Sequence, residues 1–171
     1  MSKLKVDSIE NLAGDSRFGP VLGTPVAAAG QTFIDFTAPS WAKKVTVSIR
    51  GLSTSGSSPV MIQIGPSAGP ETSGYGGGAY NPAAWAANTN GFLTAAQNSA
   101  ANLLSGNAHL ALCDPATNAW VFSFSGAGVG INTHGTGGGE KAIAGVLNKV
   151  RVTTSNGTDT FDAGSVNVMW E

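Results

Sequence analysis

A catalytic or ligand site needs reactive side chains at usable spacings, and this 171-residue chain offers few. Its two histidines, His109 and His134, have no second His, Cys or carboxylate at the spacing a metal ion needs, and His109 falls in an alternating strand pattern as a packed or surface residue. Serines are plentiful, but no Gly-x-Ser-x-Gly turn presents one as a nucleophile. Asp159 and Asp162 share "TDTFDAG", where carboxylates at a turn bond backbone rather than act as an acid and base pair. The run "GAGVGINTHGTGGGEK" has the glycines of a phosphate loop. However, Glu140-Lys141 stands where Gly-Lys-Ser/Thr should open a helix, so it reads as a flexible loop. Cys113 is alone, which excludes an intrachain disulfide and reads as a small buried hydrophobe. No catalytic residue, metal ligand or cofactor site is expected, and the chain reads as a protein other than an enzyme.

A different chemistry is possible in "SGYGGGAYNPAAWAANTNGF", residues 73–92. Tyr75, Tyr80, Trp85 and Phe92 are spread through Gly, Ala and Asn with neither a strand nor a helix period. Two readings stand: the rings pin a long loop to the body, or they form a contact surface for a sugar or a protein, as aromatic side chains do at small entropic cost.

Charge is distributed unevenly. Six of the nineteen formal charges fall before residue 18, at Lys3, Lys5, Asp7, Glu10, Asp15 and Arg17, whereas Leu52 to Gly139 carries only Glu71 and Asp114. With a net charge of -1 and no Lys or Arg between Gly51 and Glu140, the chain cannot build the basic face that nucleic acid requires. The start "MSKLKVDSIENLAG" lacks the apolar core of a secretion signal, and no later stretch is apolar for long enough to insert in a membrane. Leu4, Val6, Ile9 and Leu12 give this charged start its own apolar set, too small to bury itself. It reads as an arm, residues 1–22, that gains order on a partner, or else as a first strand and linker of the body.

The elements that would position these residues have period two. "KVTVSIR", "VMIQIG", "AWVFSFS" and "SVNVMWE" alternate apolar and polar side chains, the mark of half-buried antiparallel strands. Val45, Val47, Ile49, Val60, Ile62, Ile64, Val166, Val168 and Trp170 are expected to face one interior. "DPATN" and "SNGTD" supply turns, and "GLSTSGSSP" links the first two of these strands. "AAQNSAANLL" at 95–104 suits a short helix or a loop with one turn. About eight strands are expected, giving an all-β, antiparallel, jelly-roll-like sandwich over 23–171 behind the arm. So weakly charged a surface suits close packing of identical copies.

Three stretches, "SKLKVDSIENLAG" at 2–14, "FIDFTAPSWAKKVTVSIRGLSTSGSSPVMIQIG" at 33–65 and "KVRVTTSNGTDTFDAGSVNVMWE" at 149–171, resemble small bacteriophage virion proteins of the tail-fibre type. The resemblance implies that the first stretch attaches the protein to other virion proteins, through Leu4, Val6, Ile9 and Leu12, and that the other two flank a compact β-domain. It implies a homotrimer located in the virion, with a host-surface glycan or protein as receptor. Similar domains decorate capsids as head fibres, and a glycan-active depolymerase is a more distant alternative.

Overall fold

The computed structural model describes residues 19–82, 84–96, 98–100, 102–129 and 134–171. The period-two stretches are strands. In chain order they are β1 (Val21–Leu22), β2 (Val26–Ala27), β3 (Phe33–Thr37), β4 (Lys44–Thr54), β5 (Val60–Gly65), β6 (Gly76–Asn81), β7 (Ala84–Ala87), β8 (Phe92–Leu93), β9 (Leu103–Asp114), β10 (Ala119–Val129), β11 (His134–Ala142), β12 (Lys149–Thr154) and β13 (Phe161–Trp170). All pairings are antiparallel. Among the described residues there is no helix.

Two sheets form. The larger runs β1-β13-β4-β9-β10-β11-β6-β7, with β2 also on β13, and the smaller runs β3-β12-β5-β8. β1 and β2 are two halves of one edge strand, interrupted at Thr24-Pro25, because proline has no N–H to give the ladder. Counting them as one, the chain alternates between sheets in jelly-roll order: β1/β2, β4, β9 and β13 in one, β3, β5, β8 and β12 in the other. The number matches the expected eight, but β1/β2 and β8 are not among the strands expected from sequence, and the expected strand "AWVFSFS" is β10. The β10–β11 and β6–β7 hairpins are additions that prolong the larger sheet past β9.

The nine residues expected to share an interior all belong to the main core cluster, joined by Leu110, Trp120, Phe122, Phe124, Val150 and Val152. At roughly 1.5–3 kcal/mol for each fully buried large side chain, this two-sided contact dominates the stability of the sandwich. A smaller cluster, Met61, Ala79 and Leu93 with Ala86 against it, lies on the opposite side of β5. It forms because the β6–β7 extension curls around the β8 edge, and so β5 is buried along its whole length.

Several expectations are corrected. The glycine run is not a flexible loop: Gly135 to Gly139 lie within β11, paired with β10 and β6. Glycine is required there because β8 crosses over it. A Cβ on Gly137 would collide with the Leu93 carbonyl oxygen, and one on Gly139 would lie 3.2 Å from the Phe92 ring and overlap the Gly76 carbonyl. Gly51 to Thr54 belong to β4, so the connection to β5 is shorter than expected. Of the two readings of 95–104, a short helix or a loop with one turn, its described residues form no helix before β9 opens at Leu103, and Asn98 donates to Thr54 Oγ1 at 2.8 Å. Cys113 is exposed, because the inward positions at the end of β9 are taken by Leu110 and Leu112. Val21 and Leu22, placed in the arm from sequence, are strand β1 and pair with Trp170 and Met169.

Candidate functional site

The four aromatic residues of 73–92 divide into two pairs. Tyr75 and Phe92 are each 3% exposed and belong to the main core, so neither is available to a partner; as candidate receptor contacts they are corrected to core residues. Their rings meet edge to face at 4.8 Å, and Phe92 stacks on Phe122 at 4.6 Å. The Tyr75 hydroxyl accepts from the Ile64 N–H at 2.8 Å and donates to the Glu71 carbonyl at 2.9 Å, which ties the 66–75 loop to β5. Burial pushes the Tyr75 hydroxyl pKa well above its ordinary value, so it stays a neutral donor. This pair pins the loop.

Tyr80 and Trp85 are 47% and 66% exposed and stand directly opposite each other on the β6–β7 hairpin. Asn81 makes this hairpin: its Oδ1 accepts the Ala84 N–H at 2.9 Å and closes the turn after β6. The Trp85 ring lies across Gly78, close enough that a Cβ there would be 2.7 Å from Cζ2. With Gly77, Gly137 and Gly138 as floor and Thr136 at its side, the pair walls a shallow cleft of about 220 Å³.

The cleft continues into a row of polar groups on the outer face of the larger sheet. Thr136 faces Tyr80, Ser125 faces Thr136, Asn107 faces Ser125, and Ser48 faces Asn107. The adjacent row carries Thr46, His109, Ser123 and Gly138 in the same register. Neither set includes an Asp, Glu, Lys or Arg. Ser48 Oγ donates to Asn107 Oδ1 at 2.9 Å, which leaves the Asn107 amide donors available, and Thr46 Oγ1 lies 3.2 Å from His109 Nδ1. Among the described residues the hydroxyls of Ser125 and Thr136 have no hydrogen-bond partner.

The smaller sheet differs. On its outer face Arg151 makes two 2.7 Å bonds to Asp35 and lies 4.0 Å from the centre of the Phe33 ring, so its charges are used within the protein. A second depression, about 510 Å³, lies at the other end of β11 beside Glu140 and Lys141. Lys141 is buried there and pairs with Glu71, whose other oxygen accepts the Ala144 N–H at 2.7 Å. Burial would raise the Glu71 pKa, but the Lys141 ammonium and the Ala144 N–H together hold it below its ordinary value.

Asp159 accepts from the Ser58 N–H and from Asn156, the backbone and turn role expected of it. Among the described residues no group of three His, Cys, Asp or Glu is placed to hold a metal ion. Leu4, Val6, Ile9 and Leu12 lie outside the described residues. Sequence reasoning missed Asn107 and Thr136. The alternation in "AWVFSFS" already turned Ser123 and Ser125 outward, but Thr136 lies in a glycine run that carries no period. The chain matches no protein-family model, and no curated protein or solved structure matches it significantly.

Proposed function

We propose that this chain is a structural protein of a bacteriophage virion, of the tail-fibre type. Its N-terminal residues attach it to other virion proteins, and its jelly-roll body is presented outward as a non-catalytic receptor-contacting module. One observation carries the reading. The body begins at β1, which is one edge of the larger sheet, whereas the exposed Tyr80–Trp85 pair occupies the opposite edge. Seven strand spacings separate them, up to about 34 Å along the curved sheet. A partner engaged at the β1 edge leaves the aromatic edge free for a second partner.

The charge distribution supports the same division: a charged start with Leu4, Val6, Ile9 and Leu12 for docking, and a body whose outer face carries two adjacent rows of polar, uncharged groups. The resemblance of residues 2–14, 33–65 and 149–171 to fibre-type virion proteins points the same way. The assembled form in this proposal is a homotrimer.

Antibody labelling of intact particles tests the proposal. Label at the tail is the expected result. Label over the shell would make the protein a head fibre or capsid decoration, and particles without label would overturn the virion assignment.

A further inference from the structure

We infer that the Tyr80–Trp85 cleft and the polar row leading from it bind a neutral, linear glycan, whose chain runs across the strands rather than along them. The inference rests on the proposed reading of the body as a receptor-contacting module and names the chemistry of that contact.

Three features converge on this ligand class. First, Trp85 and Tyr80 are large, exposed and side by side, and Trp85 is supported from beneath by Gly78. An apolar ring face held this way stacks on the C–H face of a pyranose, while the ring's hydroxyls remain free at its rim. Second, Thr136, Ser125 and Asn107 continue from the aromatic pair in strict cross-strand register. They offer two hydroxyls and an amide with donors unused among the described residues. These groups donate and accept equally, as polyhydroxyl ligands require. Neighbouring strands are about 4.8 Å apart, so the groups repeat at nearly the spacing of successive sugars in an extended chain, over roughly 19 Å from Trp85 to Asn107.

Third, the row is uncharged. An acidic polysaccharide or a charged protein epitope would meet no counter-charge across these five strands, whereas a neutral chain leaves no charge to be desolvated. The nearest charges lie off the row: Arg50 is exposed on β4 two residues beyond Ser48, Lys44 pairs with Glu171, and Glu140 lies two residues beyond Gly138. The small side chains of the row also leave a ligand backbone free to approach the sheet closely.

The test is a titration of the full-length protein with cellohexaose, laminarihexaose and maltohexaose, with hexagalacturonate as the acidic comparison, read by amide and indole N–H chemical shifts. The expected result is that at least one neutral hexamer shifts the Trp85 indole and the Thr136 and Ser125 amides together, with an affinity that does not change with salt. Trp85→Ala should weaken binding by about thirtyfold and Thr136→Ala by about fivefold, with unchanged melting. The inference is overturned if no neutral hexamer shifts these signals at millimolar concentration, if hexagalacturonate binds more tightly, or if Trp85→Ala binds like the parent. Concentration-dependent self-association abolished by Trp85→Ala would also overturn it, because the occupant would then be a second copy. Because the titration uses free protein, it stands or falls separately from particle labelling.

Discussion

Gly137 on β11 lies against the carbonyl of Leu93 on β8, at a separation that leaves no room for a side chain. That contact joins the curled end of the larger sheet to the edge of the smaller one and closes the sandwich on that side. Gly137→Ala should cost about 1–3 kcal/mol, since backbone on both sides must yield. Gly138→Ala, one residue on, places its Cβ 3.8 Å from the nearest atom and should change stability by no more than about 0.5 kcal/mol. Thermal melting of the two variants checks this, and equal destabilisation would mean that the approach of β8 to β11 is looser than described.

The pairs within residues 73–92 should separate in the same kind of experiment. Tyr75→Ala and Phe92→Ala empty the core and should each cost about 3–5 kcal/mol. Tyr80→Ala and Trp85→Ala remove exposed rings and should stay within about 0.5 kcal/mol. Tyr75→Phe isolates the hydroxyl; losing its bonds to Ile64 and Glu71 should cost about 1–3 kcal/mol with the ring stack intact. Chemical denaturation of the five variants is the measurement.

The same residues show what a sequence reveals. Val45, Val47 and Ile49 announce their strand because one face meets a core and the other meets water, which writes a period of two into the chain. β11 writes no apolar period, since its inward positions 135, 137 and 139 are held to glycine by close approach of neighbouring strands, and one of its pairing partners, β6, is distant in sequence. The aromatic residues were legible as a set, but their division into core and surface depends on where β6 and β8 lie relative to β11. The row from Tyr80 to Asn107 exists only through the register of four strands.

Acid should weaken the fold through Glu71. Its pKa is lowered in the folded protein, so its contribution is fully present above the ordinary value of 4.5 and is lost as pH falls below that toward the folded value. Glu71→Gln should lower stability at pH 7 by about 1–3 kcal/mol, because Lys141 is left buried without its carboxylate. It should also flatten the acid limb of stability below pH 4.5. Asp159, held low by Asn156 and the Ser58 N–H, and Asp114, held low by Thr117 and the Ala116 N–H, share that limb. The difference between parent and variant curves therefore isolates Glu71.

Light scattering on the full-length protein at micromolar concentration should give three chain masses. The scarcity of charge along residues 52–139 means that few ions must be desolvated when copies meet. A single chain mass would contradict the proposed homotrimer.

Removing residues 1–20 tests the central claim most directly. Among the described residues the strands begin at Val21, and the edge half-strand it opens pairs with Trp170 and Met169 within the body. The account predicts that the truncated protein melts cooperatively near the parent's temperature and is absent from purified particles when it replaces the parent during infection. Truncated protein found in particles at the parent's level would place attachment elsewhere, and failure of the truncated protein to fold would make the first twenty residues part of the domain.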